Sequence, residues 1–331
     1  MIDKAQADED DLALLRELSL NGRESLTRLS RKLGLSKQRL GYRLRSLERR
    51  GLLTGFFAIP NIFRLGFDHF RVFVRFQRLT EMGEKELLDH LLNRSDVSWL
   101  TQLDGDFDLE FVVWAQGVPA FESAYDDILG QFGGLFQEKY FSLATRIEFL
   151  PWRFLTPAVA ASEALSAGAS GVTLESLPGP LEVDAIDRRL LAELSRNGRL
   201  SLASLSRRCR VSPAAAAQHL RALKSRGAIA GFAAKIDHAR LGFVYRKVFL
   251  RLEGPAGEAL ARLCAWLRSR PEVIFLVKTI GSWDLEVELM TGPGDEFLAF
   301  MRRLRTGFAA DVAAFRSVIV LRELKYGQYP A

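Results

Sequence analysis

Residues 21–51 read NGRESLTRLSRKLGLSKQRLGYRLRSLERRG, and residues 197–227 read NGRLSLASLSRRCRVSPAAAAQHLRALKSRG. The second stretch lies 176 positions after the first (21 to 197), and aligning 11–56 with 187–232 at that offset gives 22 identities in 46 positions. The register holds without a gap through Leu65-Gly66-Phe67 against Leu241-Gly242-Phe243, and on to Gly105, Asp108 and Glu110 against Gly281, Asp284 and Glu286. Self-similarity of this length means that one module has been duplicated in tandem. Residues 156–182 between the copies are rich in Ala, Ser, Gly and Pro, which predicts a linker that spans rather than packs, with a short helix over Ala158 to Leu165 as the alternative.

Within the quoted stretch the apolar spacing is helical. Leu12, Leu15 and Leu18 make one stripe that ends at Asn21-Gly22; Leu26, Leu29 and Leu33 follow the N-cap Ser25 and stop at Gly34; Leu40, Leu44 and Leu47 follow the N-cap Ser36 and stop at Gly51. Three short amphipathic helices with a tight turn between the second and third predict a helix-turn-helix. The β-rich run Leu52 to Ile59, stopped by Pro60, predicts the wing of a winged variant.

Beyond Pro60 the period changes. His69 to Phe76 alternates as a strand, followed by a helix (Met82 to Leu92), a strand (Val97 to Gln102), a turn at Asp104 to Asp106, a strand (Phe107 to Ala115), a helix from Pro119 to Leu129 and a strand (Lys139 to Phe149). The order βαββαβ predicts a ferredoxin-like sheet with both helices on one face. Copy two repeats it, from Arg246–Leu252 to Ser317–Lys325. The expected α+β chain therefore runs as a winged helix-turn-helix (1–60), a βαββαβ domain (61–155), the linker (156–182), a second winged helix-turn-helix (183–236) and a second βαββαβ domain (237–331). One sheet face stays bare in each module. Val72, Val74 and Phe76 are assigned to the face under the helices, whereas Phe73 and Phe249, set among Arg71, Arg75, Lys247 and Arg251, mark a sheet-to-sheet interface.

Composition narrows the function. Hydrophobic residues at 48% and charged residues at 26% exclude wholesale disorder. Cys209 and Cys264 are the two cysteines, which excludes a disulfide framework and suits a reducing cytoplasm. No apolar h-region follows Met1 and no run of about 18 apolar residues occurs, so a cytoplasmic, non-membrane protein is expected. The net charge of +6 is concentrated: residues 23–50 carry ten Lys and Arg against two Glu, and residues 196–226 carry eight against no acid, +8 in each. Such patches attract phosphate.

With these parts in place, and with Gly105-Asp106-Phe107-Asp108 and Gly281-Ser282-Trp283-Asp284 ahead of the third strand of each sheet, the chain resembles the Lrp/AsnC family of transcription regulators, twice over. The resemblance implies that the helix-turn-helix contacts double-stranded DNA and that the βαββαβ domain dimerises and senses an amino acid or related metabolite. Relatives carry one module per chain, so an intramolecular pseudo-dimer is expected here, with further homo-oligomerisation open and no cofactor or metal implied.

The candidate DNA-contacting residues are Ser36, Lys37, Gln38, Arg39, Tyr42, Arg43, Arg45 and Arg49 on and before the third helix, and Ser212, Gln218, His219 and Arg221 in copy two. With Leu40, Leu44 and Leu47 inward, Gln38, Tyr42, Arg45 and Arg49 face outward. Gln suits adenine and Arg suits guanine. Copy two offers Ala214, Gln218, Arg221 and Ser225 outward, and is expected to contribute mainly phosphate contacts through Arg199, Arg207, Arg208, Arg221 and Arg226. The resemblance places the effector at Leu103, Gly105, Asp106 and Asp108, and at Gly281, Ser282 and Asp284, although Gly-Asp before a strand is also ordinary turn chemistry. Siroheme decarboxylases of the same fold, which also occur as fused pairs, are the enzyme alternative. The four histidines, His69, His90, His219 and His238, form no signature near those turns, and no phosphate loop, metal-spaced cluster or nucleophile elbow occurs, so a non-enzyme is expected. A metabolite-binding protein without DNA binding is the third alternative.

Overall fold

A computed structural model describes residues 7–155, 171–175, 179–254, 257–327 and 329–330. The first helix-turn-helix comprises α1 (Glu9–Ser19), α2 (Leu26–Leu33) and α3 (Lys37–Arg49), followed by β1 (Leu53–Pro60). Ser25 and Ser36 accept the Arg28 and Arg39 backbone N–H groups as N-caps, and Gly34 ends α2 in the left-handed region. Leu14, Leu15, Leu18, Leu29, Leu40 and Leu47 are fully buried, as their spacing requires. The first βαββαβ unit follows as β2 (Asp68–Phe76), α4 (Glu81–Asn93), β3 (Val97–Gly105), β4 (Leu109–Ala115), α5 (Val118–Phe132) and β5 (Phe136–Phe149). Copy two comprises α6 (Ala185–Arg196), α7 (Leu202–Cys209), α8 (Pro213–Ser225), β7 (Ile229–Ile236), β8 (Val244–Leu252), α9 (Gly257–Ser269), β9 (Val273–Gly281), β10 (Leu285–Thr291), α10 (Glu296–Gly307) and β11 (Val312–Lys325).

The two sheets are joined at both edges. Their orders are β5-β2-β4-β3 and β11-β8-β10-β9, and antiparallel pairing of β3 with β11 and of β5 with β9 closes eight strands into a barrel. Closure removes four exposed edges. Val72 and Val74 face α4 and α5, and Val248 and Leu250 face α9 and α10, in two separate apolar layers outside the barrel. Phe73 and Phe249 meet inside it at 5.1 Å, edge to face, beside Phe107 and Trp283.

The strands read as wings are present, but each pairs with the other rather than within its own module: β1 and β7 form a two-stranded antiparallel ribbon, Phe57 opposite Ala233. The helix-turn-helix cores are correspondingly shared. Leu14, Leu18 and Leu40 pack in one cluster with Ala234 and Ile236 of β7, and Leu190, Leu194 and Leu205 pack with Phe57, Ala58 and Ile59 of β1. Domain boundaries at 60 and 236 therefore cut through common cores. The repeated Asn-Gly-Arg text serves this exchange. Gly22 and Gly198 donate their N–H groups to Phe232 O and Phe56 O, each at 2.7 Å, so close that a Cβ on either glycine would meet opposing backbone at 2.8 and 2.7 Å. Arg23 then donates to Gly198 O and Leu200 O, and Arg199 donates to Gly22 O.

The linker expectation needs correction. Part of it is a strand, β6 (Val172–Glu175), that pairs with β5 and buries Leu174, so this piece packs rather than spans. The alternative helix at 158–165 lies outside the described residues.

Charges are buried in the barrel. Arg71 contacts Glu110 at 2.7 Å, Glu286 at 2.9 Å and Glu288 at 3.2 Å; Lys247 contacts Glu110 and, at 3.2 Å, Glu288. Tyr245 donates to Glu288, while Ser142 and Trp283 donate to Glu286 at 2.8 and 2.7 Å. Burial opposes ionisation of both carboxyls, raising Glu286, yet Lys247 and Arg71 still hold Glu288 below its ordinary value. Next to them, Trp114 donates to Nδ1 of the buried His69 at 3.1 Å. Burial above all, with Arg71 and Lys247, pushes the His69 pKa well below 6.5.

Two expectations follow. Arg71→Met, which leaves three interior carboxylates facing Lys247 alone, lowers unfolding free energy by about 3–5 kcal/mol in urea titrations. The native His69 ring refuses a proton that the unfolded chain accepts below about pH 6.5. Stability therefore falls as pH drops from there, by about 1.4 kcal/mol per unit for this one proton. His69→Phe makes the measured slope between pH 5 and pH 6.5 shallower, and an unchanged slope contradicts the assignment.

Candidate nucleic-acid interface

The third helix of the first module divides its side chains as its spacing demands. Leu40 and Leu47 are fully buried and Leu44 partly so, while Lys37, Gln38, Arg39, Arg45 and Arg49 are exposed and Tyr42 stands 61% exposed. Among the described residues, the side chains of Lys37, Gln38, Tyr42, Arg45 and Arg49 make no intramolecular hydrogen bond or ion pair.

Three of the predicted contact residues also make bonds within the fold. Ser36 is a cap. Arg43 turns back to α1, donating to Asp8 and Asp11 at 2.8 Å and to Asp10 at 2.7 Å, with its side chain only 13% exposed. Burial opposes its charge, but the bonds to Asp8 and Asp11 raise its pKa beyond the ordinary arginine value. Arg39 also reaches Asp10, at 2.7 Å, although it keeps a largely exposed side chain. Residue type alone did not separate Arg43 from Arg45. The missing signal was the repeat itself, because Asp8 and Asp11 recur as Asp184 and Asp187.

Copy two is built on the same clamp with an imidazole in place of the guanidinium. His219, at the position of Arg43, contacts Asp187 at 2.8 Å and Asp184 at 3.9 Å. It is engaged by α6 and is not a free outward group. Ser212 caps α8 by accepting Ala215 N–H. Ala214, Gln218 and Arg221 are exposed, and Arg207 stands on α7. Two of the expected phosphate-contact residues are engaged within the chain. Arg199 is half-buried over the Phe56 ring at 4.0 Å, and Arg226 donates to Glu182 O and lies 3.9 Å from Asp187. Arg208 pairs with Glu193 at 3.0 Å while staying exposed.

The predicted effector turns are seams between the modules. Gly105 (φ 129°) lies beside Val318 and Gly281 (φ 134°) beside Ser142, where a Cβ would sit 2.9 Å from Ser317 O and 2.5 Å from Phe141 O. Asp108 accepts Phe76 N–H at 2.6 Å, and Asp284 accepts Leu252 N–H at 2.8 Å. Ser282 exchanges bonds with the Phe141 backbone, and Leu103 is buried in the barrel. These residues hold turns and strand pairs. The side chains of Asp104 and Asp106, by contrast, make no hydrogen bond or ion pair among the described residues.

Comparison with known proteins places these parts. An AsnC-type helix-turn-helix domain model matches residues 8–48, and a winged helix-turn-helix DNA-binding model matches residues 183–230. The HTH-type transcriptional regulator Ptr1 of Methanocaldococcus jannaschii is 31% identical over 101 residues, 30% of this chain and 67% of that protein. The chain belongs to the Lrp/AsnC family of helix-turn-helix transcriptional regulators. The Bkd operon transcriptional regulator of Pseudomonas aeruginosa is 27% identical over 150 residues, 45% of this chain and 97% of its own length, so one module matches a whole relative. Over both modules the fold is that of the siroheme decarboxylase NirDL, with a TM-score of 0.62 at 12% identity, covering 98% of this chain and 94% of that one. Among the described residues, no helix is long and apolar enough to cross a membrane.

Arg43→Ala releases α3 from α1 and leaves Asp8 and Asp10 without that partner. The expected cost is about 2 kcal/mol of unfolding free energy. Arg45→Ala, which removes no internal bond, changes it by less than about 0.5 kcal/mol. Equal losses in both variants overturn the assignment of Arg43 to the fold and Arg45 to the surface.

Proposed function

We propose that the chain is a sequence-specific regulator of transcription that grips duplex DNA with α3 and α8, one polypeptide standing in for the two subunits of its relatives. The observation that carries this reading is the set Lys37, Gln38, Tyr42, Arg45 and Arg49: long polar side chains, exposed and unengaged, on a helix whose other face is sealed by leucines. Arginine and glutamine so placed can make bidentate contacts to base edges, and lysine neutralises phosphate. In α8 the comparable positions are Ala214, Gln218, Arg221 and Ser225. It presents less hydrogen-bonding capacity, so α3 reads most of the sequence and α8 mainly positions the second half-site.

The fused arrangement fixes the two helices at high effective concentration and permits non-identical half-sites. An effector of the amino-acid class fits the first turn, where Asp104 and Asp106 are unengaged and can receive an amino group. The second turn has Ile280 and Ser282 there, so response is asymmetric. Likeness to the decarboxylase at 12% identity concerns fold alone, and the unengaged cationic helix favours DNA over catalysis.

Selection from a random duplex pool should return a site with two unequal half-sites spaced by about one helical turn or a multiple of it. Fluorescence anisotropy on that site should weaken steeply between low and moderate salt. Arg45→Ala should cost about 1–3 kcal/mol and relax preference at one position, whereas Arg221→Ala should weaken all sequences alike. Salt-independent or absent binding overturns the reading.

A further inference from the structure

Where the ribbon meets the barrel there is a cavity of about 80 Å³. Both modules wall it: Phe57 and Ile59 from β1, His69 from β2, Trp114 from β4, Ile147 from β5 and Val277 from β9. Most of its polar groups are engaged; Trp99 Nε1, buried on its lining, makes no well-formed hydrogen bond but has the Glu323 carboxyl beside it. Arg71 and Glu288 reach it but pair with each other at 3.2 Å, and the Ser98 hydroxyl donates to Val112 O.

His69 is different. Its Nδ1 accepts a bond from the Trp114 indole N–H, a group that can only donate, so the neutral ring carries its proton on Nε2. That Nε2 is buried and has no partner, in a side chain whose residue is only 7% exposed. An unmade bond from a buried donor costs about 1–3 kcal/mol. A water seated there would face chiefly apolar walls, short of the about two to four polar partners that hold buried water. The second module has no such vacancy: Tyr245 stands at the position of His69 and donates to Glu288, whose counterpart in module one is Val112. The orphan donor thus belongs to one half.

Charge narrows what can fill it. Arg71 and Lys247 bring two positive charges against the three carboxyls of Glu110, Glu286 and Glu288. A further anion is opposed by those carboxyls, and a cation finds a donor where it needs an acceptor. We infer that this cavity binds a small uncharged carbonyl compound, its apolar body against Phe57, Ile59 and Val277 and its oxygen accepting from His69 Nε2. One wall of the cavity is the ribbon strand on which both helix-turn-helix units pack, so occupancy would bear on how α3 and α8 are held. That consequence rests on the DNA-binding reading; the binding itself does not.

Cyclopentanone serves as the probe, titrated against the full chain by thermal shift and calorimetry without DNA. Saturable binding to the wild type that weakens about tenfold or more in His69→Phe, the loss of one buried hydrogen bond, is expected. Because that variant could fold poorly, a crystal of the wild-type chain soaked with the ketone is the second measurement, with its oxygen expected within hydrogen-bond distance of Nε2. No saturable binding, equal binding to both proteins, or a cavity holding only water or collapsed side chains overturns the inference. A chain that takes the ketone but no DNA sinks the regulator reading alone. One that binds DNA but no ketone sinks this inference alone.

Discussion

The structure depends on the meeting of two sheet faces that neither module could leave in water. Each βαββαβ unit hides one face beneath its helices, and the other face carries Phe73 with Arg71 or Phe249 with Lys247. Brought together, the aromatic pair supplies buried area while Arg71 and Lys247 find Glu110, Glu286 and Glu288 from both copies. A buried ion network contributes little net stability against an apolar alternative, but leaving it half-made is severely unfavourable. It therefore acts as a register device: a sheet slipped by one residue would bury these charges without partners.

The barrel in turn fixes the ribbon, and the ribbon fixes the helix-turn-helix units. Each unit rests on the strand of the opposite copy, and each Asn-Gly-Arg turn reaches across to the opposite backbone. Stability and geometry thus have one source. Continuous apolar packing connects the barrel to both helix-turn-helix units.

Much of this was legible in the residues. The repeat gave the architecture, serine caps and glycine stops placed α2 and α3, and the alternation of β2 assigned Phe73 to the face that meets the other sheet. What escaped were partners supplied by the other copy. Leu52 to Ile59 alternates as any strand does, and nothing local says that its neighbour lies 176 residues away. The glycines at 105 and 281 looked like a ligand's approach because Gly signals only that something comes close, and here that something is a β-strand. Arg43 and Arg45 are the same residue type two positions apart, and only the acids on α1 distinguish them. The linker's low apolar content concealed that Leu174, at one point, docks on the sheet.

Joining the modules in one chain changed what selection could do with them. In a symmetric dimer any substitution appears in both halves, so a device that suits one half must be tolerated by the other. Here the acid clamp of α1 holds an arginine at 43, permanently charged, while the same clamp on α6 holds a histidine at 219. Lys37 corresponds to Pro213, Tyr42 to Gln218, and His69 with Trp114 to Tyr245 with Met290. Every one of these pairs keeps the backbone and alters the chemistry. The divergence includes the outward face of the third helix and the cavity beneath the ribbon, whereas the glycines at 22, 105, 198 and 281 that let the two halves touch are unchanged. The duplication has kept the close contacts through which the two halves assemble while other positions diverged.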